Sequence, residues 1–276
     1  MNGIGYKIKK TILYILLILL SVVCMFPFLL MIVNATRSGS EIMKSFTLIP
    51  SVYLKENWAT VFKYFNLFLG MWNSLKVAVP STLLCAYFSA MTAYALAMYK
   101  FKGNKVLFMT ILIFMMIPGQ LGLIGFYNLC TKLHLVNSYI PLIIPAIASP
   151  GTVFFLRQYV LSVMPPSLIE AARIDGAGEY RAFAQVMLPL VKPTIAATAT
   201  VQFLDAWNSY LDPLVFISNW KKWTIPLALN QFVGTAVTQY NLTMAACCMA
   251  VVPVFIVFLF GQKFFLKGLS VGAVKG

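Results

Sequence analysis

Charge is scarce in this sequence and acid scarcer still: seven Asp and Glu stand against 21 Lys and Arg, and charged residues make up 10% of the chain. A soluble domain carries about 25% charged residues. A chain that is 61% hydrophobic therefore has too little polar surface to cover a globule in water. The surplus of base does not point to nucleic acid, because the basic residues form no stripe interleaved with exposed aromatics. They stand in short clusters at the ends of apolar runs, as membrane topology requires. Histidine is reduced to His134, and Cys24, Cys85, Cys130, Cys247 and Cys248 lie in or beside apolar runs without a CxxC spacing. They read as small buried hydrophobes and a loop imidazole, not as a metal site. No GxxxxGK(S/T) loop is present to wrap phosphates, and no nucleophile–base pair stands out. Neither ATP hydrolysis nor a membrane-enzyme activity is expected of this chain.

What remains is apolar length. A bilayer span needs about 20 mostly apolar residues, and the runs 11–33, 77–99, 106–129, 139–156, 196–217 and 242–261 reach or approach that. The first is too long for a signal-peptide core and is followed by no small-x-small cleavage site, so it reads as a retained helix. Prolines interrupt the set: Pro27, Pro118 and Pro253 in the first, third and sixth runs, and Pro141, Pro145 and Pro150 in the fourth. Broken backbone at membrane depth is tolerated only against protein or a water-filled cavity, which points to a transport path about as readily as to kinked packing. Three clusters contain base and no acid: Lys7, Lys9 and Lys10; Lys100, Lys102 and Lys105; Lys263, Lys267 and Lys275. All three are expected on the cytoplasmic side, with both termini inside. The segments 34–76, 131–138 and 218–241 then lie outside, weakly opposed by Lys221 and Lys222 between Trp220 and Trp223. The expected fold class is an all-α membrane protein with six transmembrane helices in a single domain over residues 1–276.

The inside loop 157–192 is long and polar. Pro165 and Pro166 stop the preceding segment, and Ser167 followed three residues later by Glu170 has the form of a capping box. Ala171 and Ala172 favour helix and leave a shallow surface that a partner can approach. Gly176 permits the left-handed residue that ends a helix. A second short helix is expected from about Glu179 to Leu188, stopped by Pro189. Composition alone leaves open an interfacial loop with no partner.

The order of residues is more specific. Glu170-Ala171-Ala172, then Arg173-Ile174-Asp175-Gly176, a spacer of nine residues and Val186-x-Leu188-Pro189 resembles the EAA motif of ABC importer permeases, with valine where the family usually has isoleucine. The ending Phe265-Leu266-Lys267-Gly268-Leu269-Ser270-Val271-Gly272-Ala273-Val274-Lys275-Gly276 is similar to the tail of carbohydrate-type, maltose-like permeases, as are Leu48-Ile49-Pro50 and Trp207-Asn208-x-Tyr210. The resemblance implies the type I importer permease fold, with a coupling helix in the cytoplasmic loop 165–189 between helices 4 and 5. It implies ATPase coupling through Glu170, Ala171, Ala172, Asp175, Gly176, Leu188 and Pro189. It also implies a second homologous permease, two cytoplasmic ATPase subunits holding ATP and Mg, and an external sugar-binding protein. No cofactor is expected on this chain. Glu170 is expected to cap its own helix, with Arg173 or a base on the ATPase as its alternative partners.

The fifth run carries Gln202, Asp205, Asn208 and Asp212. Residues three or four apart share a helix face, so Asp205, Asn208 and Asp212 form one polar stripe there. Intramembrane polar groups usually face a bundle interior or cavity, and sugars want such groups beside aromatic planes. Asp205, Trp207 and Asn208 are therefore candidates for the substrate pathway, with Gln120, Tyr127 and Asn128 in the third run as weaker ones. An ion-coupled secondary transporter or channel is the rival reading, but the chain shows no obvious internal repeat around a midplane site.

Overall fold

A computed structural model describes residues 3–235 and 239–273. Every regular element among them is helical. Five helical segments are long and apolar enough to cross a bilayer, or six if the pair Asn104–Met116 and Gly119–Lys132, bent by 92°, counts as one. The chain divides into two compact units, Met1–Leu67 with Ala228–Val252 and Phe68–Leu227 with Pro253–Gly276.

In the first unit, α1 (Gly3–Ala35) passes through Pro27 without a break. None of its most apolar stretch is buried, as befits a helix whose solvent is lipid. The chain that follows is ordered by polar groups. Ser38 and Glu41 form a reciprocal capping box that starts α2 (Gly39–Lys44). The buried Arg37 donates to the carbonyls of Glu41 and Ser45 at 2.7 and 2.9 Å. From α3 (Leu54–Tyr64), Asn57 donates to the carbonyls of Ala35 and Arg37, both at 2.9 Å, and accepts from Asn241 at 2.7 Å.

In the second unit, α4 (Leu67–Met98) begins well before the run that announces it. Helix α5 (Asn104–Met116) stops at Ile117, whose ψ of 121° is the extended value that a following proline imposes. A 3₁₀ turn (Gly119–Gly122) and α6 (Leu123–Lys132) leave in a new direction, so the third run is no straight span. Asn137, with a left-handed φ of 60°, then turns the chain. Its N–H donates to the Phe216 carbonyl at 2.7 Å, and its own carbonyl accepts from the Lys222 ammonium at 2.6 Å.

The fourth run is built in pieces, each opened by a proline where its missing N–H costs nothing: α7 (Ile140–Ile143), a 3₁₀ turn (Ile144–Ile147) and α8 (Pro150–Val163). It outruns the expected end at Leu156 because Arg157 is satisfied inside the protein. That guanidinium lies 3.9 Å from the Phe108 ring centre, and its Nε donates to the Leu96 carbonyl at 3.3 Å.

Helices α9 (Pro166–Ile174) and α10 (Glu179–Ala182) follow. A π turn (Phe183–Met187) joins α10 to α11 (Leu188–Asn208). Pro189 does not stop the chain as expected. The wider turn ahead of it absorbs the missing donor, and residues 179–208 form one continuous helical segment. That segment ends at Asn208, earlier than the expected 217, because Ser209 turns extended. The short α12 (Leu211–Phe216), α13 (Ile225–Thr235) and α14 (Tyr240–Ala273) complete the order. Of the basic residues after the sixth run, Lys275 lies outside the described residues.

Candidate functional site

Two regions of the second unit carry most of the candidate residues: the loop around α9 and the C-terminal end of α11.

Helix α9 has a defined start and stop, but its start differs from the expected one. Pro165 occupies the cap position with extended dihedrals, Pro166 is the first helical residue, and no side chain caps the helix. Ser167 is therefore not the cap and its box with Glu170 does not form. The proline ring pre-sets φ and begins the helix earlier, leaving the serine already inside the first turn. The stop is as expected. Gly176 adopts φ +79°, its N–H donates to the Arg173 carbonyl at 3.0 Å, and the Ala177 N–H reaches back to the Ala172 carbonyl at 2.9 Å. These paired bonds are the Schellman closure, which needs a left-handed residue at the glycine. The spacing from Ala172 to Gly176 in the motif is the spacing of this closure.

The two alanines part company. Ala172 (9% exposed) and Ile169 (3% exposed) enter a core shared with Ala90, Ala93 and Tyr94 of α4, Leu156 and Val160 of α8, and Phe183, Met187 and Val191 at the head of α11. Ala172 is thus a packing residue and not part of an open surface. Ala171, Glu170, Arg173 and Asp175 stay exposed, and Ile174 is 86% exposed. Leu188 is half-buried and Pro189 exposed in the first turn of α11.

Arg173 pairs with Glu179 at 2.9 Å and not with Glu170. Glu179 also accepts from the Tyr99 hydroxyl, and the Arg173 guanidinium sits 5.5 Å from the Tyr99 ring centre. Burial, reinforced by the Glu179 carboxylate, pushes the Tyr99 phenol above its ordinary range, and the hydrogen bond to Glu179 holds the Arg173 guanidinium up. This triad ties the turn after α9 to the end of α4. Sequence reasoning missed it, since Tyr99 and Glu179 are far apart in the chain and neither belongs to a motif.

At the other region, α11 ends too soon for Asp205, Asn208 and Asp212 to form one helical stripe. Two of them nevertheless meet. Gln202, Asp205, Ser209 and Asp212 line one side of a cavity of about 220 Å³, closed on the other by Leu142 and Pro145. Ser209 donates to Asp212 at 3.3 Å. A second cavity of about 410 Å³ shares Gln202 and Asp205 and is also lined by Ser149, Thr152 and Thr198. Asn208, exposed at the end of α11, is in neither lining. Trp207 lines neither cavity: it is 2% exposed and stacks on Phe203, with ring centres 5.7 Å apart, in a core with Ala78. Gln120, Tyr127 and Asn128 lie in the 3₁₀ turn and α6 after the Pro118 break, and they line neither cavity. Gln202 was visible in the sequence, but Ser149, Thr152 and Ser209 carried no signal there.

Comparison with known proteins adds the following. Residues 82–271 match the family described as the binding-protein-dependent transport system inner membrane component. The chain is 39% identical over 258 residues to the arabinooligosaccharides transport system permease protein AraQ of Halalkalibacterium halodurans, covering 92% of each. It is 33% identical over 264 residues to the diacetylchitobiose uptake system permease protein NgcG of Streptomyces coelicolor, covering 94% of this chain and 87% of the relative. In fold it is similar to a chain of a bacterial ABC transporter involved in the import of the acidic polysaccharide alginate, with a TM-score of 0.81 at 22% identity, over 96% of this chain and 99% of the other.

Proposed function

The chain belongs to the binding-protein-dependent transport system inner membrane component family, and from that premise we propose that it forms half of the translocation path of an ATP-driven oligosaccharide importer, with α9 as its coupling helix. Membership in this family favours a permease subunit over an ion-coupled carrier. The relatives' cargoes, arabinooligosaccharides and diacetylchitobiose, support a sugar as the substrate. ATP and Mg belong on two cytoplasmic ATPase subunits. A second permease completes the path, and an external binding protein delivers the sugar.

One observation carries the reading. Helix α9 presents Glu170, Ala171 and Ile174 outward, while its back, Ile169 and Ala172, is fixed in the core that holds α4, α8 and α11 together. A push on the exposed face is delivered to three membrane helices at once, because a close-packed core deforms little. Glu170 makes no ion pair within the chain among the described residues, which leaves its carboxylate for a base on the motor subunit.

Orientation follows the same geometry. The Tyr99–Glu179 hydrogen bond puts the basic loop 100–105 at the same end of the fold as α9, and the positive-inside rule makes that end cytoplasmic. At the opposite end, Asn137 accepts from Lys222 and Asn73 donates to the Lys221 carbonyl. Segments read as external are thus stitched to one another. The basic clusters at residues 7–10 and 263–275 assign both termini to the cytoplasmic side by the same rule, and the cavities around Asp205 offer acceptors to a passing sugar.

The test is charge reversal of Glu170. In vesicles holding the assembled importer, Glu170→Lys is expected to cut ATP-driven uptake by about tenfold or more while the chain still inserts. Uptake at the parental rate would remove α9 from the coupling path.

A further inference from the structure

Between the end of α4 and the start of α5 lies an open cavity of about 600 Å³ whose lining includes Lys100, Lys102, Lys105 and Arg157 and no acid. Its walls are held in shape. The Asn104 amide donates to the carbonyls of Leu96 and Tyr99 at 3.2 and 2.9 Å, and Gly103 takes φ +95° to turn the chain into α5. Arg157 is anchored through its Nε and ring stacking, which leaves its two terminal nitrogens for a ligand. Glu179, which accepts from the Tyr99 hydroxyl at the cavity's edge, is already engaged by Arg173 as well. Helix α5 starts with no side-chain cap and no acid in its first turn, so its positive dipole end adds to the four cations instead of offsetting them. Such a cluster is electrostatically uncompensated within the chain.

We propose that this cavity binds the phosphate headgroup of an anionic phospholipid. A lipid fits better than a soluble phosphate because of what adjoins the cations. Phe101 and Val106 form apolar walls of the same cavity. Helix α5 buries none of its residues and turns Leu107, Met109, Ile113 and Phe114 outward, a track along which acyl chains can lie. Basic pockets beside membrane helices are recognised sites for anionic headgroups. The bound lipid would brace the junction between α4 and α5, to which Tyr99 also connects the turn after α9.

The experiment uses the whole importer in phosphatidylcholine vesicles, with a photoactivatable phosphatidylglycerol or phosphatidylcholine as probe and labelled peptides mapped by mass spectrometry. The phosphatidylglycerol probe is expected to label the peptide spanning residues 100–107, and added salt is expected to weaken the labelling. Each basic residue near an anionic surface contributes roughly a fivefold factor, so the K100Q/K102Q/K105Q triple variant should lose labelling by about a hundredfold. The K100R/K102R/K105R variant, which keeps the charge, should retain it and so separates lost binding from a damaged fold. Equal labelling by the two probes, labelling unchanged in the glutamine variant, or displacement by inorganic phosphate well beyond that produced by sodium chloride of the same ionic strength would each overturn the assignment.

Discussion

The loop around α9 and the C-terminal end of α11 are both polar interruptions in an apolar chain, and they spend their polar groups in opposite ways. Around α9 the groups that hold the turn are used within the chain, the Gly176 turn closing its carbonyls and Glu179 joining Arg173 to Tyr99, while Glu170 is left facing outward without an ion pair among the described residues. At the end of α11, Asp212 is met by Ser209 at 3.3 Å and shares its cavity with Gln202 and Asp205. A part that transmits force has to be stiff, so its groups are satisfied internally. A part that passes a hydroxyl-rich cargo has to keep hydrogen-bonding capacity open to whatever enters. On the function proposed above, the difference between the two regions is that between strut and passage.

That contrast can be broken deliberately. The largest effect is expected from Ile169→Ala, which empties the anchored back of α9. Truncation of a buried aliphatic chain costs roughly 2–5 kcal/mol, and hydrogen exchange over residues 166–177 should accelerate accordingly while the cavities around Asp205 keep their accessibility to a polar probe. Gly176→Val comes next. A left-handed β-branched residue is strained by at least about 1–2 kcal/mol, so the same amides should exchange faster by roughly one power of ten. Ser167→Ala is the smallest. With no capping bond to lose, stability should move by less than about 0.5 kcal/mol; a loss near 1 kcal/mol would restore the serine cap that Pro165 replaces here.

How far each region was legible follows from the same physics. The end of α9 was readable because a positive φ selects glycine, and the break after α5 because Pro118 forces Ile117 out of the helical region. The head of α11 was not, since a π turn that absorbs Pro189 leaves no residue signature. Which way Trp207 and Ala172 face was hidden for a further reason. In water an apolar stripe marks the buried face, but a membrane helix is apolar all round, and its periodicity does not separate core from lipid. Arg157 concealed the true length of α8 because a charge reads as the end of a span until its partners, the Phe108 ring and the Leu96 carbonyl, are seen.

The most direct measurement targets the outward face of α9. Ile174→Cys, in importer assembled in native membranes, should crosslink to an ATPase subunit and resist a membrane-impermeant maleimide applied from outside the cell. Ready labelling of that cysteine from outside, with no crosslink to the ATPase, would contradict the coupling role of this helix and the orientation built on it.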